Sequence, residues 1–68
     1  MSTNPILRYF AYDHLTHPVL RDTSKAFHDL AGALDRDLPD GPEKSVALRK
    51  LLESKDAAVR SALDIVTD

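Results

Sequence analysis

His14 and His17 lie three residues apart with Asp13 alongside, a spacing that could bring two imidazoles to one metal ion if the segment were helical. Thr16 and Pro18 instead place the pair at a helix entry, and no fourth ligand is apparent, so no metal site is expected. Ser24 and His28, four residues apart and flanked by Asp22 and Asp29, contain the residue types of a nucleophile and its base. Such chemistry also needs an oxyanion hole and an enclosed pocket, so exposed polar side chains are the simpler reading. The two glycines, Gly32 and Gly41, make no phosphate-cradling loop. The sequence therefore predicts neither catalytic residues nor a cofactor, and the chain is not expected to be an enzyme.

Anion-binding chemistry is better represented. Arg49, Glu53, Asp56 and Arg60 follow one another at spacings of four, three and four, so alternating charges run down one stripe of a helix. The plain reading is a solvated face tied by Arg49–Glu53 and Asp56–Arg60 pairs, each contributing a few tenths of a kcal/mol. In the functional reading, arginines on helices that meet in an oligomer hold a small anionic ligand, because a guanidinium fork suits phosphate. Tyr12 and Lys25 combine an amphipathic aromatic with a cation, which in a base-binding site would stack on a purine and offset phosphate charge. Their plain readings are a solvated Lys25 paired with Asp22 or Asp29, and an N-terminal segment whose Tyr9, Phe10 and Tyr12 rest on the remainder of the chain.

These residues need elements to position them. Residues 1–16 carry Pro5 and the three aromatics with no sustained period, which predicts an irregular arm with room for one helical turn, lying over another surface. Thr16 suits an N-cap, and Pro18 is tolerated in a first turn, so a helix should start near residue 17. Leu20, Phe27, Leu30, Ala31 and Leu34 then recur at helical spacing, giving an amphipathic helix of about 20 residues, roughly 30 Å long. Leu38-Pro39-Asp40-Gly41-Pro42 breaks it, and Asp40 with Glu43 forms a candidate capping box for a second helix. Val46, Leu48, Leu51, Leu52, Val59, Ala62, Leu63 and Val66 outline that helix's apolar face. A connection this short predicts antiparallel packing. The expected fold is all-α, an antiparallel two-helix hairpin over residues 17–68 preceded by an arm over 1–16, in a single domain.

A chain of 68 residues is short for an isolated core, and with no cysteine it has neither disulfides nor a thiolate metal site to staple it. Homo-oligomerisation is the remaining route, so protomers are expected to share a core. Nine Lys plus Arg against eleven Asp plus Glu provide no basic field, which argues against DNA or RNA binding. No apolar stretch approaches membrane-spanning length and the N-terminal residues lack a signal-peptide pattern, so a cytoplasmic location is expected.

The stretches Phe10-Ala-Tyr-Asp-His-Leu15, Phe27-His-Asp-Leu-Ala31, Leu38-Pro-Asp-Gly-Pro-Glu-Lys44, Val46-Ala-Leu-Arg-Lys-Leu-Leu-Glu53 and Lys55-Asp-Ala-Ala-Val-Arg60 cover most of the chain. In them it resembles a group of very short proteins of bacteriophages that infect actinobacteria. More weakly, Tyr12-Asp-His-Leu15, Lys25, the 38–42 turn and the arginines Arg49 and Arg60 are similar to the helical-hairpin sponges with which phages blunt the CBASS and Thoeris defence systems. That resemblance implies a hexamer in the host cytoplasm that sequesters a cyclic di- or trinucleotide, or a cyclic ADP-ribose derivative, between protomers without degrading it. It further implies that Tyr12 stacks on a base and Lys25 meets phosphate, with Arg49 and Arg60 in a separate pocket. The chain departs from the family in having no tryptophan and no glutamine. The competing expectation is a helical interaction module that docks a host or phage protein.

Overall fold

The structure is a computed structural model that describes residues 4–66. Its elements are a 3₁₀ helix at Pro5–Phe10 and two α-helices, α1 at Pro18–Asp37 and α2 at Pro42–Val66.

The N-terminal segment is more ordered than its sequence suggests. Asn4 caps the 3₁₀ helix, its side-chain oxygen accepting from the Ile6 amide at 3.1 Å and its carbonyl from the Leu7 amide at 3.0 Å. Pro5 fills the first helical position, where no amide is needed. Short 3₁₀ runs need outside support, and here it comes from Phe10, which is wholly buried, with Ile6 and Leu7 packed beside it. Past Phe10 the chain extends through Ala11 and turns, the Leu15 amide donating to the Tyr12 carbonyl at 3.0 Å.

α1 opens one residue later than its sequence suggests. His17, rather than Thr16, is the cap, with Nδ1 accepting from the Val19 amide at 3.2 Å and the backbone carbonyl accepting from Arg21 at 2.9 Å. At the far end the Leu38 amide donates to the Leu34 carbonyl at 3.0 Å, and Leu38 adopts extended geometry, as the proline after it requires.

The expected Asp40–Glu43 capping box does not form. Gly41 supplies the carbonyl that accepts from the Ser45 amide at 3.2 Å, so Asp40 stands one residue too early to cap α2. Its carboxylate takes Lys44 instead. The Lys44 ammonium, almost fully buried, donates to the carbonyls of Asp35 at 2.7 Å and Leu38 at 3.3 Å and to Asp40 Oδ1 at 2.9 Å, and it pairs with Asp35 Oδ1 at 3.0 Å. The last turn of α1, whose carbonyls have no helical partner, is thus satisfied by a side chain from the first turn of α2. The hydrogen bond that Asp40 accepts holds the Lys44 ammonium above its ordinary pKa, with Asp35 adding to the effect and burial opposing it.

The two helices form a hairpin that runs antiparallel. Lys44 reaches Asp35 near the turn, Ala31 and Leu48 share the core one turn further on, and Phe27 lies with Leu51 and Leu52 beyond them. Phe10 enters this seam from the N-terminal segment, so the core is shared by three elements. Lys55 fastens the same segment to α2, its ammonium donating to the Tyr9 carbonyl at 2.7 Å. The long dimension of 42 Å is set by α2, whose 25 residues span about 38 Å at ~1.5 Å per residue.

Two leucines read from the sequence as part of the apolar faces are not enclosed. Leu30 is 48% exposed and Leu63 39%. Leu30 follows the seam residues Phe27 and Leu34 in type but sits about 100° around the helix from its buried neighbour Ala31. Ile65, 67% exposed, is a further open apolar side chain near the end of α2. Among the described residues no helix is long and apolar enough to cross a membrane.

Candidate functional site

α1 carries Arg21, Lys25 and His28 at spacings of four and three, which sets them on one face. The turn over residues 12–15 folds the N-terminal segment back so that the Tyr12 ring lands on that face. The Arg21 guanidinium lies 5.1 Å from the Tyr12 ring centroid, the Lys25 ammonium 5.8 Å, and the His28 ring 4.9 Å in an edge-on arrangement with an interplanar angle of 66°. Arg21 also fixes the segment itself, its Nη1 reaching the carbonyls of Asp13 at 3.3 Å and Leu15 at 3.4 Å. Cations within about 6 Å of a ring centroid are attracted to its π-face, so the tyrosine is held by helix side chains rather than by apolar packing alone. Tyr12 is partly buried, whereas Lys25 and His28 face solvent.

Lys25 is paired. Its ammonium contacts Asp29 Oδ2 at 2.8 Å, one turn along α1, which decides between the two expected partners Asp22 and Asp29 in favour of Asp29. That hydrogen bond holds the Lys25 ammonium above its ordinary pKa, with the charges of Asp29 and Asp22 acting in the same direction and burial opposing them.

The arginines of α2 are placed differently. Arg49 and Arg60 are both exposed, and neither forms an ion pair among the described residues. The expected Arg49–Glu53 and Asp56–Arg60 pairs are absent there, and Glu53 accepts Lys50 instead, at 3.8 Å. Being three turns apart, the two arginines are separated by about 16 Å along the helix. They do not serve one phosphate together.

The other constellations dissolve. His17 spends its Nδ1 lone pair on capping α1, and among the described residues no group of three or more His, Cys, Asp or Glu side chains could hold a metal ion. Ser24 is fully buried, and its hydroxyl has no hydrogen-bond partner among the described residues, while His28 is turned to Tyr12. A nucleophile needs its base in contact, and that contact is missing.

Of the four residues expected to bind ligand, the structure therefore unites Tyr12 with Lys25 and leaves Arg49 and Arg60 on the α2 surface. It adds Arg21, which the sequence reading overlooked, and gives His28 a part beside the tyrosine. The spacing of Arg21, Lys25 and His28 on one helix face was a legible signal. What the spacing lacked was the turn that lays Tyr12 across it. No known protein family matches the chain, and no curated protein or solved structure is similar to it at a significant level.

Proposed function

We propose that this protein is a phage-encoded, non-catalytic sponge, a helical module that captures a small cyclic nucleotide immune signal and lowers its free concentration in the host cytoplasm. The observation that carries this reading is the Tyr12 ring with Arg21 and Lys25 within 6 Å of its centroid. One aromatic surface and two cations are what a nucleobase joined to a phosphate requires.

Assembly belongs to the same proposal. The partly exposed Leu30, Leu63 and Ile65 offer apolar surface that a closed ring of copies, six in the resembling family, would cover. Arg49 and Arg60 then line the approaches between protomers. A cyclic di- or trinucleotide or a cyclic ADP-ribose derivative is the ligand class.

The test is native mass spectrometry of the full chain, alone and with a panel of those nucleotides. A closed oligomer carrying unmodified nucleotide at fixed stoichiometry, with uptake lost in Tyr12→Ala and Lys25→Ala, is the expected result. An oligomer that takes up none of the panel, or a folded monomer, overturns it. The same exposed leucines and isoleucine favour a second reading, a helical interaction module for a host or phage protein. That reading requires a stable heteromeric complex unaffected by Tyr12→Ala.

A further inference from the structure

The Lys25–Asp29 pair bears on how the site is regulated, an inference that rests on the nucleotide-binding reading above. A carboxylate oxygen and a phosphate oxygen both accept from an ammonium in short, charge-assisted hydrogen bonds. Asp29 Oδ2, 2.8 Å from the Lys25 ammonium, therefore occupies the position a ligand's anionic oxygen would take. Arg21, one turn earlier, brings a second cation to the same ring. Only its Nη1 is engaged, through two long bonds to the Asp13 and Leu15 carbonyls, and Nε and Nη2 have no hydrogen-bond partner among the described residues. Half of a guanidinium fork is thus available beside a lysine that is already satisfied.

We propose that Arg21 and Lys25 form a two-cation phosphate site beside Tyr12, and that Asp29 is its built-in counter-ion, which a phosphate oxygen of the ligand displaces. Other charged or titratable neighbours are Asp13, next to Tyr12 and in contact with Arg21 through its carbonyl, His28, edge-on to Tyr12, and Asp22, whose charge acts on Lys25. In this arrangement Asp29 sets a threshold. Without ligand it neutralises Lys25, and it makes weakly charged anions poor competitors because each must first release that pair. Arg21 also joins ligand contact to arm position, since the guanidinium that meets phosphate is the one that holds the Asp13 and Leu15 carbonyls.

The experiment is an NMR titration of the full chain with inorganic pyrophosphate at low, fixed ionic strength, followed at the Lys25 ammonium and the Tyr12 ring. Wild type, Asp29→Asn, Arg21→Gln and Asp29→Asn combined with Lys25→Ala are compared. Asp29 and Lys25 are both exposed, so their replacement leaves the core intact. Asp29→Asn should bind about fivefold tighter, the size expected for deleting one exposed like charge next to the anion. Arg21→Gln should bind severalfold more weakly, and the double variant should lose the gain. Equal or weaker binding by Asp29→Asn, or no binding by any form, overturns the counter-ion.

The cyclic nucleotide panel separates this from the broader reading. Nucleotide uptake by wild type that does not tighten in Asp29→Asn removes the counter-ion and keeps the sponge. Tightened pyrophosphate binding with no nucleotide uptake does the reverse.

Discussion

Replacing Phe10 with alanine tests whether the N-terminal segment is part of the fold. The ring is wholly buried in one cluster with Ala31 of α1 and Leu48 of α2, against which Ile6, Leu7, Phe27, Leu34, Leu51 and Leu52 also pack. An aromatic side chain of this kind removes on the order of 150–200 Å² from water, about 4–5 kcal/mol at ~25 cal/mol per Å². Core substitutions of phenylalanine by alanine cost about 3–5 kcal/mol. A chain of 68 residues has a total stability of roughly 3–10 kcal/mol, so Phe10→Ala should consume a third or more of it. In urea, with a slope of ~1 kcal/mol per M for so small a domain, the midpoint should fall by about 3 M or the fold should be lost outright.

Two probes make the assay decisive. Both tyrosines, Tyr9 and Tyr12, lie in the N-terminal segment and the chain has no tryptophan, so tyrosine fluorescence reports that segment while far-ultraviolet circular dichroism reports α1 and α2. In wild type the two transitions should coincide. A Phe10→Ala cost under 1 kcal/mol, or a fluorescence transition well before the helical one in wild type, would refute the claim that the segment completes the core.

Gly32→Ala should raise stability by about 0.5–1 kcal/mol, because Gly32 is interior to α1 and a methyl placed there meets nothing within 4 Å; thermal unfolding monitored by circular dichroism gives the answer. The Lys44 anchor should show itself at alkaline pH. Its folded-state pKa is raised above the ordinary 10.5, so the proton's contribution to stability is complete below that value and is lost as pH rises through the higher folded-state value. The melting temperature of wild type should therefore fall more steeply above about pH 10.5 than that of Lys44→Met, and parallel curves would contradict the assignment.

Both long helices were legible because their evidence is local. Apolar residues at helical spacing, Pro18 at one entry and the Leu38–Pro42 break at the other end are properties of a few consecutive residues. The N-terminal segment was legible only in part: its aromatics were expected to rest on the hairpin, but six residues with no long period become a regular 3₁₀ helix only when Phe10 finds the seam between two others. Capping erred by one residue at both helix starts for a related reason. His17 competes with Thr16 and Gly41 with Asp40, and in the second case Lys44 draws the carboxylate into a buried ammonium site that spans the turn. At the candidate site, the sequence could offer Tyr12 and Lys25 by type and the helical spacing that sets Arg21 on the face of Lys25, but nothing that brings Arg21 to the ring. Its contact with Tyr12 depends on the turn over residues 12–15, a tertiary event with no periodic signature.

The candidate site is built half on the N-terminal segment and half on α1, with Arg21 spanning the two. That division makes it a thermodynamic linkage. Any molecule that touches Tyr12 and Lys25 together binds only the docked form of the segment, so occupancy and docking stabilise one another by the same amount. At a hundredfold excess over its dissociation constant, such a molecule would add about 2.7 kcal/mol to the docked state, comparable with what Phe10 itself contributes. Amide exchange in residues 6–16 would then record occupancy of a site several residues away from most of the amides that slow down.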